Sequence, residues 1–113
     1  MKAKLLFILL FLTHQFMQPV MSQTVFGAPD CGEWVRQSKE RPADRAWLLG
    51  FMSGLNTMYS VQPSTGENDD PLGRINSAQQ IYVWMDNYCQ KNPLNTVTAG
   101  GFDLFIEIAI KAK

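Results

Sequence analysis

Apolar residues first run together, Leu5 to Leu12, and only from about position 30 do they fall into a repeating pattern. Asp30 followed by Glu33 is a D-x-x-E capping box, which predicts a short helix holding Cys31, Trp34 and Val35. Pro42 marks a second helix start, since proline is favoured at the first helical position. Beyond it, Trp47, Phe51, Leu55 and Met58 recur on one helical stripe, and Ala43, Ala46, Gly50, Gly54 and Thr57 form a second stripe of small residues. A glycine inside a helix costs about 1 kcal/mol relative to alanine. Gly50 and Gly54 are therefore expected to pack against a neighbouring helix backbone. Ser77 with Gln80 reads as another capping box, followed by a helix with Ala78, Tyr82, Met85 and Cys89 facing inward and Ile81, Trp84 and Tyr88 widening that face. Asn92 and Pro93 end it.

The tail is ambiguous until its polar residues are placed. Ile106, Ile108 and Ile110 alternate as in a strand, but Asp103, Glu107 and Lys111 recur every four positions and so share one helix face. A fourth helix follows, apolar over most of its circumference and so expected to be deeply packed. The pattern predicts an all-α, four-helix domain over residues 30–113.

Between the second and third helices, Ser60 to Asn76 breaks all periodicity and collects Pro63, Gly66, Pro71 and Gly73. A loop of about 16 residues is long for so small a domain, and long ordered loops often carry function. Glu67, Asn68, Asp69 and Asp70 offer oxygen atoms but lack the spacing and distal glutamate of a calcium loop, so no metal site is expected. Glu67, Asp69 and Asp70 are instead candidate acidic contacts to a partner.

The apolar run near the start has the form of a secretory leader over residues 1–22. Lys2 and Lys4 form its basic end, and Val20 and Ser22 are small residues at the places a cleavage site requires. The run meets Thr13, His14 and Gln15 too soon to span a bilayer, which needs about 20 apolar residues. Export to the periplasm or beyond the cell is expected, without membrane insertion after cleavage. A polar lead over 23–29, expected to be flexible, joins the leader to the domain. Removing Lys2 and Lys4 leaves eight basic against ten acidic residues, a net of about −2. That balance lacks the clustered lysines and arginines by which nucleic acids and anionic membranes are bound.

Two cysteines downstream of an export signal allow one intramolecular pairing, Cys31 with Cys89, in an oxidising compartment. Chain entropy assigns a cross-link of that span roughly 4 kcal/mol, a large share of a small domain's stability. His14, the sole histidine, lies in the leader, so the body has neither a Ser-His nor a Cys-His pair. No catalytic residue and no cofactor are expected. Asp86 with Glu107 is the one carboxylate pair worth weighing for acid and base roles, and helix-tying hydrogen bonds explain those residues better. Trp34, Trp47 and Trp84 read first as core, with an exposed binding aromatic possible for one of them.

At A-W-L-L-G-F-M-S-G-L-N, and again about 30 residues on at I-Y-V-W-M-D-N-Y-C-Q-K-N-P-L, the chain resembles a group of small exported bacterial proteins. In layout these are similar to the Rap/Tai-type immunity proteins and to the HdeA-type acid-stress chaperones. The resemblance implies four or so helices, a disulfide joining the first and third helices, and stoichiometric binding of another protein without catalysis. The partner would be toxin-like for an immunity-like or accessory binder, or an unfolded client for a chaperone. The chain departs from the chaperone set in its few lysines and its tryptophan-rich, well-capped core.

Overall fold

The computed structural model describes residues 24–37, 40, 42–63 and 68–111. The leader expected over 1–22 and the candidate contact Glu67 lie outside the described residues. Among the described residues four α-helices follow one another, α1 (Cys31–Gln37), α2 (Pro42–Ser60), α3 (Ala78–Lys91) and α4 (Val97–Lys111), with one 3-10 turn, Pro71–Arg74, before α3. There is no strand among the described residues, and the fold is an all-α domain with one disulfide.

The helix starts follow from local chemistry. Asp30 Oδ1 accepts the Glu33 N–H at 2.7 Å, satisfying one of the donors that every helix N-terminus leaves unpaired. Thr96 Oγ1 does the same for the Ala99 N–H at 3.2 Å and so opens α4. The two caps also pair with each other. Asp30 and Thr96 form an antiparallel bridge, with the Cys31 N–H donating to Asn95 O at 2.9 Å and the Val97 N–H to Pro29 O at 3.1 Å. Helices α1 and α4 thus start from one hydrogen-bonded point. At α3 the expected capping box is displaced: Ser77 makes no side-chain cap, and Gln80 Oε1 accepts instead from the Asn76 N–H at 2.8 Å.

Helix α4 organises the packing, with α2, α3 and the 3-10 turn against it, while α1 lies on α3. Its buried residues, Val97, Gly100, Gly101, Leu104, Phe105, Ile108 and Ala109, follow the helical period. They share one buried core with Leu48 and Met52 of α2, Ile81, Met85 and Cys89 of α3, and Cys31 and Trp34 of α1. The disulfide joins Cys31 to Cys89 across 58 residues of chain, and both cysteines are fully buried.

Three expectations are corrected. Gly50 and Gly54 are exposed, and a Cβ built on either meets nothing within 4 Å, so they pack against no helix. The close approach lies on α4, where a Cβ on Gly101 would stand 2.9 Å from the Phe51 ring and one on Gly100 would stand 2.7 Å from Met85 Sδ. Helix α2 is rotated by one residue from the expected stripe, with Leu48 and Met52 at the centre and Met58 exposed. Its large aromatics take the rim instead: Trp47 stacks on Phe51 at 5.1 Å, Phe51 meets Phe102 edge-on at 5.2 Å, and Trp47 Nε1 donates to Phe26 O. Finally, α4 is not covered all round. Ile106 and Ile110 remain 52% and 65% exposed, because the seven-residue α1 covers α3 and no further described element covers the outside of α4.

Candidate partner-binding surface

The acidic loop is held by its own carboxylates. Asp70 caps the 3-10 turn, accepting from the Gly73 N–H at 3.2 Å and from Asn56 Nδ2 at 2.8 Å. Asn56 completes the exchange by accepting the Leu72 N–H at 3.0 Å, so one α2 side chain grips both sides of the turn. Asp69 pairs with Arg74, whose other guanidinium nitrogen donates to Ile108 O at the C-terminal end of α4. Ser60 Oγ reaches Asp69 O at 2.8 Å, and Asn68 enters the turn with φ 65°, a left-handed conformation asparagine tolerates. Asp69 and Asp70 thus stand at the surface with their carboxylates engaged in fastening the loop to α2 and α4.

Asp86 and Glu107 are not brought together as an acid–base pair; each receives a different indole. Trp34 Nε1 donates to Asp86 Oδ1 at 2.8 Å, tying α1 to α3 beside the disulfide. Trp84 Nε1 donates to Glu107 Oε2 at 3.1 Å, tying α3 to α4. Glu107 also pairs with Lys111, and the Lys111 ammonium, followed by the Trp84 N–H, holds its carboxyl below the ordinary value. A carboxylate that already accepts two donors is occupied in structure.

One edge of α3 remains open. Ser77, Gln79, Gln80, Val83, Trp84 and Asn87 line a shallow depression of about 430 Å³. Its floor is apolar: Val83 is 49% exposed, and the half-buried Trp84 ring is stacked on Tyr88 at 5.3 Å. With its N–H fixed on Glu107 and its face against Tyr88, the indole has little rotamer freedom left to lose on binding. Amides from Gln79, Gln80 and Asn87 and the Ser77 hydroxyl surround it, donors and acceptors in one small area. Such a surface can take an apolar side chain in the middle and backbone hydrogen bonds around it. Val83 is the residue the sequence reading passed over. It lies on the face opposite Met85 and Cys89, and a β-branched apolar residue between Gln80 and Asn87 on a polar face was its visible signal.

No protein-family model matches the chain, and no curated protein or solved structure matches it significantly.

Proposed function

We propose that the chain is an exported, non-catalytic binding protein, immunity-like or accessory, that holds another protein in the periplasm. The observation that carries this reading is the preset aromatic floor on the α3 edge, Trp84 with Val83, ringed by amides. Tryptophan is prominent among residues that dominate binding energy, where its large face is desolvated against a partner. The resemblance of W-L-L-G-F-M-S-G-L-N and W-M-D-N-Y-C to small exported bacterial proteins, which are similar in layout to immunity proteins, supports an exported location and a toxin-like partner. The test is capture from periplasmic extract by the tagged chain at neutral pH, compared with Val83→Glu. Val83 is half-exposed and stands outside the buried core, so the variant should fold; a partner held by the parent and lost by Val83→Glu supports the reading, and equal capture by both refutes it.

A second reading, an acid-stress chaperone of the HdeA kind, is favoured by the Trp84–Glu107 tie. Protonating Glu107 weakens a link between α3 and the apolar α4. Loss of the near-UV tryptophan signal together with binding of an apolar dye in acid, below the ordinary carboxylate range of about 4, would support it. A native near-UV signal retained there would remove it.

A further inference from the structure

The disulfide fastens the edge of the fold. Helices α2 and α3 and the 3-10 turn each pack on α4, whereas α1 packs on α3. At seven residues α1 falls well short of the roughly 12–15 at which an isolated helix begins to hold in water, so it persists by docking. Three described ties dock it close together: the Cys31–Cys89 bond, the Trp34 Nε1 donation to Asp86 Oδ1 at 2.8 Å, and the Cys31 N–H donation to Asn95 O at 2.9 Å. Asp86 and Cys89 stand one turn apart on α3, so the bond and the indole grip the same stretch of that helix.

We propose that α1 is a redox-held flap, released from α3 as one unit when a dithiol reduces the Cys31–Cys89 bond, while α2, the 3-10 turn, α3 and α4 keep their fold. With the bond closed, a lifted α1 is still pinned to α3 at its first residue, and lifting gains little chain entropy. With the bond open that restraint is gone, and the lifted state is favoured by the freedom it gains. The rest of the domain has a core of its own. Helix α1 brings Cys31 and Trp34 to the buried cluster, and Leu48 and Met52 of α2, Ile81 of α3 and Leu104, Phe105 and Ile108 of α4 remain without it.

Both cysteines are fully buried, so a reductant meets the sulfurs only after α1 has lifted. A thiolate of the dithiol then attacks one sulfur, forming a mixed disulfide and expelling the other sulfur as a thiolate. The second thiol of the reductant attacks the mixed disulfide and expels the first cysteine. Two electrons and two protons pass to the chain, Cys31 and Cys89 end as thiols, and the reductant ends as a disulfide. Release uncovers Asp86 and the Cys89 thiol on α3, which the closed flap covers.

Reduction by dithiothreitol, followed by alkylation and mass spectrometry, tests the route, and amide hydrogen exchange of the reduced chain tests the product. Asp86→Ala removes a tie of α1 and should speed reduction about fivefold or more. Met52→Ala hollows the contact of α2 with α4, where Met52 Sδ lies 3.7 Å from a Cβ built on Gly101. It should lower stability to urea yet leave the reduction rate within about twofold of the parent, since its effect falls on the part that stays folded. In the reduced chain, exchange across α1 should rise about tenfold or more while α2 and α4 stay protected. Unchanged exchange across α1 overturns the proposal, as does loss of protection in all four helices together. An Asp86→Ala rate equal to the parent's overturns it too, and so does a Met52→Ala rate raised as far as that of Asp86→Ala, which marks reduction through unfolding of the whole domain.

Discussion

Gly100 of α4 lies directly against the Tyr88 ring of α3: a Cβ built on the glycine would stand 2.7 Å from Tyr88 Cδ1. The ring has no easy retreat, because its face is stacked on Trp84 and its hydroxyl accepts from Asn95 Nδ2 at 2.9 Å. Gly100→Ala should therefore cost about 1–3 kcal/mol through overpacking, although alanine is the better helix former. Gly54→Ala should do the opposite and stabilise by up to about 1 kcal/mol, since nothing lies within 4 Å of the added methyl. Urea unfolding of the two variants gives both signs in one comparison.

That contrast shows how far the sequence could be read. Asp30, Pro42, Asn92 with Pro93, and the four-residue spacing of Asp103, Glu107 and Lys111 each mark a helix limit or face by local chemistry, and those elements stand where that chemistry puts them. Rotation about a helix axis is not local. Gly50 with Gly54 and Gly100 with Gly101 look equally suited to a close approach, and only the position of α4 against α2 and α3 decides between them. The same limit hid the loop's anchorage: the acidic cluster was plain, but Asn56 gripping Asp70 and Leu72 requires α2 to pass beneath the turn. The capping offset at α3 is smaller still, one residue from Ser77 to Asn76.

The Trp34–Asp86 bond and the disulfide fasten α1 to α3 at adjacent points. Asp86→Ala leaves the indole N–H of a fully buried tryptophan without its acceptor, which should cost about 1–3 kcal/mol. Asp86→Asn keeps an acceptor oxygen and should cost less. Replacing Cys89 with alanine should cost about 2–5 kcal/mol. Thermal unfolding of these variants orders them, and mass spectrometry of unreduced chain should show Cys31 and Cys89 in one linked peptide.

Acid should act on the Trp84–Glu107–Lys111 group in a defined direction. Glu107 has its pKa lowered in the folded chain by the Lys111 hydrogen bond first and the Trp84 hydrogen bond second, against a small opposing effect of burial. A depressed carboxylate contributes stability above its unfolded value near 4.5 and loses it as pH falls through the folded value. The contribution is modest, up to about 1 kcal/mol, because the pair is well exposed. Glu107→Gln should be less stable than the parent near neutral pH, and the gap should close as pH drops below 4.5. Urea titrations of both chains across that range read the gap directly.

Recruitment of another protein by the α3 edge floored by Trp84 and Val83 is open to direct test. A photo-crosslinking residue placed at Val83, with a second placed at Asn68 in the loop, tests it in the living cell. A discrete covalent adduct to a different protein should form from position 83, with little or none from position 68. An adduct from 68 alone, or from neither, contradicts it.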